Sequence, residues 1–422
     1  MLEVVGASWS QASVALHAAM THEQRRRCEI GMGGLQHTDK REATPLGRGA
    51  GHDGRVGRTN VVRGAVLALL CGSGVLGAVV PAHGGRVHEA ASSAAVSAAA
   101  THAKNVECIE CHTAIGAEWA GSQHRSSFVD ESFTRAHAIE PLAFCRRCHA
   151  PTTSARRMPS ELAADMGVAC TSCHVIDGAL HAAPGNGDGP HALVRTAAFA
   201  NADACARCHE FDFPDSSLRT TPEPMQLTIA EHAESPFAAI ACATCHMPWR
   251  GEGGTLHRSH EFSASRDPAM VRSAVIVDAS RTSATTVEVA LAPGIVGHAF
   301  PTGDLFRRVA VYAQRIGAEP TRPRTRYLSR HFARVQDRPG IIVRKAVTDD
   351  RVGVGEGPRI VQIEVPGAAE QPIAWWVVYE RVGHPRGPDE RAAFVEGSIA
   401  IAGGMLPSTT PASVPHNERA AP

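Results

Sequence analysis

The chain has 422 residues, enough for two or three domains, with a formal net charge of zero and only 5% aromatic residues. A neutral chain lacks the basic footprint that nucleic acid requires, so no nucleic-acid partner is expected. Ten of its twelve Cys fall in one recurring pattern, which excludes a disulfide scaffold.

Residues 1–54 show no sustained apolar periodicity and no motif, and are expected to be untranslated or disordered. Arg55, Arg58 and Arg63 then precede the uncharged run Gly64 to Val80, and Val80-Pro81-Ala82 supplies small residues for cleavage. A positive start, an apolar run and a small-residue exit read as a secretory signal over 55–82. The run is seventeen residues with four Gly, short for a membrane span of about 20. Retention of the segment as an anchor is the alternative. The Ala/Ser/His/Gly-rich stretch 83–103 reads as a linker.

From 104 to 265 one pattern occurs five times: Cys108-x-x-Cys111-His112, Cys145-x-x-Cys148-His149, Cys170-x-x-Cys173-His174, Cys205-x-x-Cys208-His209 and Cys242-x-x-Cys245-His246. C-x-x-C-H is the attachment pattern of haem c. Two thiolates at that spacing add to the two vinyl groups of one porphyrin, and the adjoining His supplies the proximal iron ligand. A zinc ribbon would need two Cys pairs per metal and no His directly after the second Cys. Five covalent haems c are therefore expected, each through its two Cys, with His112, His149, His174, His209 and His246 as proximal ligands. Large apolar residues are scarce over 100–265, so the macrocycles themselves are expected to fill the interior. Only short helices are predicted, over Ala114 to His124, Ser160 to Met166 with Gly167 as cap, and Glu223 to Glu234. Ala183 to Pro190 reads as a loop.

After Arg266 the pattern changes to alternating, β-branched runs: Ala274 to Val277, Thr285 to Ala290, Arg308 to Val311, Ile341 to Val343, Ile360 to Val365 and Trp375 to Tyr379. Pro/Gly/Asp turns separate them. This spacing predicts an all-β antiparallel sandwich over 266–404. The Pro/Ser/Thr/Ala-rich tail, 405–422, is expected to be disordered.

Each iron also needs a group on its second face. Met247 follows His246 directly and cannot reach the opposite face of that haem. Of twenty-three His, five lie in the motifs and eighteen remain. An isolated His is ordinarily a surface or hydrogen-bonded residue, a rule that weakens where irons need ligands. Trp119-x-x-Ser122-x-His124, Phe144-Cys145 to Ala150-Pro151, Gly167-Val-Ala-Cys170, Met225-Gln226-x-Thr228, Cys245-His246-Met247-Pro248 with Ser259-His260-x-Phe262, and Gly297-His298-x-Phe300-Pro301-Thr302-Gly303-Asp304 stand together in this chain. They resemble multihaem c-type cytochromes related to the tetrahaem cytochrome of the hydroxylamine pathway, over about residues 104–400. The last of them is similar to a motif in the C-terminal β-domain of such proteins. The resemblance implies His124, His191, His260 and His298 as distal iron ligands. The fifth remains open among His102, His137, His181, His232 and His257. The group commonly has Trp near position 232, where this chain has His232. His298 has separate support: it ends a strand just before a Pro-Thr-Gly-Asp turn, where a β-domain can present a side chain to a neighbour.

The expected function is that of an exported pentahaem c-type cytochrome passing electrons through mostly bis-His haems. The alternative is a multihaem oxidoreductase that reduces a small nitrogen or sulfur oxyanion at one open-faced haem. Related catalytic proteins show a C-x-x-C-K motif or a Tyr that crosslinks a porphyrin. This chain has neither in the haem region, its first Tyr being Tyr312. No catalytic residue is assigned. Expected partners are redox proteins, among them a membrane quinol-oxidising complex or an outer-membrane conduit. The expected location is periplasmic, in a Gram-negative bacterium, with membrane association only if the signal is retained.

Overall fold

The computed structural model describes residues 97–185, 190–214, 216–317, 322–383 and 393–409. The expectations for 1–82 lie outside the described residues, as do 83–96, 186–189 in the predicted loop and 410–422 in the tail. The motif-bearing and strand-rich regions belong to one compact unit. Among the described residues no helix is long and apolar enough to cross a membrane.

The motif region is a series of short helices, and each has a local cause. Ser97 caps Ala98–Cys111 by accepting from the Ala100 N–H. That helix begins inside the stretch read as linker. The helix predicted from 114 is Thr113–Ala120, followed by Gly121. Asp130 accepts from the Ser132 and Phe133 N–H groups and starts Glu131–Ile139. Ser160 caps Glu161–Met166, and Gly167 ends it at φ +53°. The helix predicted over 223–234 divides. Pro224–Leu227 is strand β5, paired with β4 (Glu210–Asp212), and only Thr228–Ala233 is helical. Pro222 and Pro224 bias the residues before them toward extended backbone, which the helical reading overlooked. Small ladders complete the region: β1 (Val175–Ile176), β2 (Ala179–Ala182) and β3 (Val194–Arg195) form one, and β6 (Trp249–Arg250) pairs with β7 (His257–Arg258).

Asp267 caps the helix Pro268–Ser273, with Pro268 at its first position, and strands follow. One sheet has the order β11 (Arg324–Leu328), β10 (Arg307–Arg315), β15 (Ile373–Val382), β16 (Val395–Leu406). Another has the order β14 (Arg359–Glu364), β9 (Thr286–Pro293), β8 (Val275–Arg281). β12 (Arg330–Arg338) and β13 (Ile341–Asp349) form a hairpin that turns at Gly340, φ +76°. All these pairings are antiparallel. All six predicted strands are present. β11, β12 and β16 were not predicted, and β16 runs to Leu406, past the expected boundary at 404. Period-2 alternation points Val287, Val289 and Leu291 of β9 and Val361 and Ile363 of β14 inward. They share one apolar cluster with Val309 and Val311 of β10 and Val377 and Tyr379 of β15. Both sheets thus contribute to one core.

Candidate haem sites

Every C-x-x-C lies on a helical turn, in Ala98–Cys111, Ala143–His149, Cys170–His174, Asp203–His209 and Cys242–His246, with the motif His on the same helix or, for His112, directly after it. Residues three apart on a helix share a face, so one turn presents both sulfurs to the same edge and sets the His beside them. None of these ten Cys forms a disulfide.

Four of the five motif His face a second His. The ring centroids of His112 and His191 are 6.3 Å apart, those of His124 and His209 6.2 Å. His174 and His260 are also 6.3 Å apart, and so are His246 and His298, whose rings are within 11° of parallel. Direct stacking would bring two rings to 4.5–7 Å only with faces or edges touching. Two imidazoles sharing one metal at about 2.0–2.1 Å per bond have centroids roughly 6 Å apart at any relative rotation. Here the interplanar angles range from 11° to 67° while the separation stays fixed, which fits a shared metal between the rings. Among the described residues no group of three or more His, Cys, Asp or Glu is arranged to hold a metal ion unaided. Two imidazoles and two thiols per site therefore suit a metal whose other donors come from a macrocycle, and the residues fit haem c.

In five of the motif and facing His, Nδ1 is occupied as a ligand's second nitrogen should be. Nδ1 of His149 is 2.7 Å from the Ser127 carbonyl, that of His174 2.9 Å from His181 O, and that of His246 2.8 Å from Ser263 O. On the facing side, Nδ1 of His260 meets Arg258 O at 2.8 Å and that of His298 meets Ala299 O at 3.0 Å. Each arrangement leaves Nε2 free. Burial, reinforced by neighbouring His, pushes His124 and His209 down to about 4. Burial also lowers His149, His174, His260 and His298 below the ordinary range. These rings are neutral at pH 7, the form that binds metal.

The flanking motifs are halves of shared contacts. Trp119 donates its indole N–H to Val168 O at 2.8 Å, and the Val168 N–H returns to His124 O at 2.8 Å. A Cβ on Gly167 would lie 2.4 Å from Arg125 O and 2.5 Å from His124 O. The glycine before the third motif therefore seats the segment that carries His124. Likewise Gln226 contacts His209 Nδ1 at 3.3 Å and Thr228 at 3.1 Å. Thr228 meets Thr302 at 2.9 Å, and Thr302 donates to Glu231 at 2.6 Å. Arg351, buried, holds Glu231 at 2.7 Å and donates to Pro301 O at 3.1 Å. This chain joins the Met-Gln-x-Thr and Pro-Thr-Gly-Asp motifs and runs from the strand-rich region to a motif His. No sequence signal short of the fold could reveal it.

The residues left open also find their places. His232 has Nδ1 2.7 Å from Gly297 O and Nε2 2.9 Å from Ile240 O, so both nitrogens are engaged. It ties the segment bearing His298 to the motif region. His257 is held between Thr255 O at 2.8 Å and Glu118 at 3.1 Å. Glu118 also accepts from the His260 N–H at 2.8 Å. The His137 Nε2 faces the Arg146 guanidinium at 3.5 Å. His149 is the exception among motif His: its ring stacks on Phe133, centroids 3.9 Å apart.

The structure was compared with solved structures. It matches a penta-haem cytochrome c552 from Thermochromatium tepidum with TM-score 0.52 and 19% identity, covering 73% of this chain and 99% of that one. The chain has a multihaem cytochrome fold. No family model and no curated protein matches it. Within this cytochrome fold the neighbouring motifs touch. The Cys148 and Cys208 sulfurs are neighbours that act on one another, as are those of Cys205 and Cys242. Cys148 is pushed up and Cys208 down, Cys205 up and Cys242 down, each chiefly by the sulfur it meets. Haems attached at these sulfurs would be held beside one another by the second, fourth and fifth motifs.

Proposed function

We propose that this chain is an exported c-type cytochrome that carries five covalent haems and passes electrons between them. The observation that carries this reading is the set of four His pairs at one separation, each pairing a motif His with one of the expected distal residues His124, His191, His260 or His298. In this reading His112, His149, His174, His209 and His246 bind iron on one face, and the ten motif Cys form the thioethers. When bound, the haems supply one-electron chemistry. The chain's own part is to fix their spacing and keep water from most of the buried ligands. The sulfur neighbours between motifs two and four and between four and five support a path that passes through the fourth haem.

The strand-rich region acts as a face-to-face β-sandwich that supplies one iron ligand, His298, and offers its outer surface to a redox partner. A membrane quinol-oxidising complex or an outer-membrane conduit fits that role. The periplasm is the proposed compartment, reached through the segment 55–82. Redox titration with spectral readout tests the proposal. Five haems should titrate and be reoxidised rapidly by a soluble acceptor, without steady turnover of nitrite or hydroxylamine. Sustained turnover would instead favour the oxidoreductase reading.

A further inference from the structure

We propose that Arg381, at the seam between the strand-rich and motif regions, holds a propionate carboxylate of the second or the fifth haem. The inference rests on the haem reading above and deepens it. Each haem c brings two propionates, and a carboxylate drawn away from water needs a charged or hydrogen-bonding partner.

Two backbone segments lead from motif His to this seam. Ser127 O lies 2.7 Å from Nδ1 of His149, and Asp130 follows it, its N–H bonded back to Ser126 O at 2.8 Å. Ser263 O lies 2.8 Å from Nδ1 of His246, and Ser265 and Arg266 follow it. Arg266 meets Asp130 at 2.5 Å and so ties the two segments together. From the other side β10 and β15 bring Arg307 and Arg381, directly opposite one another in the ladder. Both reach Ser265: Arg307 donates to its Oγ at 3.1 Å, and Arg381 Nη1 donates to its carbonyl at 3.4 Å.

Like charges directly opposite on a sheet repel. Here the guanidinium groups of Arg266, Arg307 and Arg381 gather with the carboxylates of Asp130 and Asp304, which already face Arg266 and Arg307. The neighbouring Glu396 faces Arg135 at 3.4 Å. Burial chiefly lowers the pKa of Arg381; Arg266 and Arg307 add to that, while Tyr379 and Asp130 oppose it. The position of its guanidinium is built: Gly397 lies opposite on β16, and a Cβ there would collide with it. The Arg381 Nε is buried and has no hydrogen-bond partner among the described residues. Nε with one terminal nitrogen forms the fork that grips a carboxylate through two N–H groups, and a third carboxylate balances the three cations.

The test uses the intact holoprotein with all five haems attached. Resonance Raman spectra of Arg381→Gln should show a shifted propionate-bending band for one haem in five, with every iron's spin state unchanged. Redox titration of the same variant should lower one of the five potentials, and Arg381→Lys, which keeps the charge, should restore most of that loss. If Arg381→Gln does not accumulate, the propionate band of Arg381→Lys decides. His298→Ala marks the fifth haem by opening its iron. Added to Arg381→Gln, it assigns the propionate to the fifth haem if the marked haem carries the shifted band, and to the second if a low-spin haem does. An unmoved propionate band overturns the inference, even where a potential shifts, and leaves the electron-transfer reading intact. A wild-type potential that moves when chloride is exchanged for a bulky anion at constant ionic strength, but not in Arg381→Gln, overturns it too, since the counter-charge then comes from solution. Fewer than five attached haems would overturn the underlying reading instead.

Discussion

The two regions of this chain build their interiors from different material. The strand-rich region has an ordinary apolar core, running from Val271 to Ile399, and no residue before Val271 belongs to it. The motif region is longer than that core's span, yet its buried apolar side chains are scattered: Trp119, Phe128, Met166 and Phe213 are the large ones. What converges there is imidazole and thiol. A protein interior must be close-packed, so on the proposed reading haems fill the motif region as Val, Ile and Leu fill the other. The comparison also shows how the regions are joined. Arg351 with Glu231, Thr302 with Thr228, Gly297 with His232, and Thr220 with Asp337 at 2.7 Å are polar contacts, and Phe213 on Phe332, centroids 5.4 Å apart, adds an aromatic one.

The largest expected effect breaks the comparison outright. Chain made without haem attachment should lose the fold of about 104–265 and keep that of about 268–406. Limited proteolysis should then release a resistant C-terminal fragment; equal digestion of both regions would show that the strand-rich core also needs the cofactors. Next in size is Leu291→Ala, which empties a fully buried site in β9 and should cost about 2–5 kcal/mol in unfolding of the strand-rich region. Haem spectra of the folded variant should be unchanged. Gly167→Ala reaches the other region. Its Cβ would meet two carbonyls at 2.4 and 2.5 Å on a backbone at φ +53°, for a cost of roughly 1–3 kcal/mol. Because the strain falls on His124 and Arg125, partial high-spin character at the fourth haem should accompany it. The smallest expected effect is at Gln226→Leu, which removes the contact to His209 Nδ1. It should leave every haem low-spin or high-spin as before and shift one reduction potential, on the order of tens of millivolts. An unchanged set of five potentials would show that the hydrogen-bonded chain from Arg351 to His209 is only a brace.

The sequence announces the covalent part of this site and hides the spatial part. C-x-x-C-H is a local pattern, and the helical turn that makes it work is local too. His124, His191, His260 and His298 came from resemblance, because each faces a motif His distant in sequence, at separations no spacing rule supplies. The six predicted strands follow from clean alternation. The three missed have it masked: β11 and β12 carry Arg324, Arg326, Arg330, Arg334 and Arg338, whose long stems cover apolar surface. β16 is diluted by Gly397, Gly403 and Gly404, two of which sit against Trp375 and Trp376 where a Cβ would crowd the neighbouring strand. His232 shows the limit most clearly. Its residue type suggested a ligand, and only the two carbonyls at its nitrogens reveal a structural bridge.

The central claim is that the motif region is organised by five covalently held haems. Denaturing the purified protein and measuring its pyridine haemochrome against chain concentration, with the mass of the same denatured chain, tests this directly. The account predicts five haems per chain, retained without native structure, because all ten described Cys lie in attachment motifs. Two or fewer haems per chain, or zinc in their place, would contradict it.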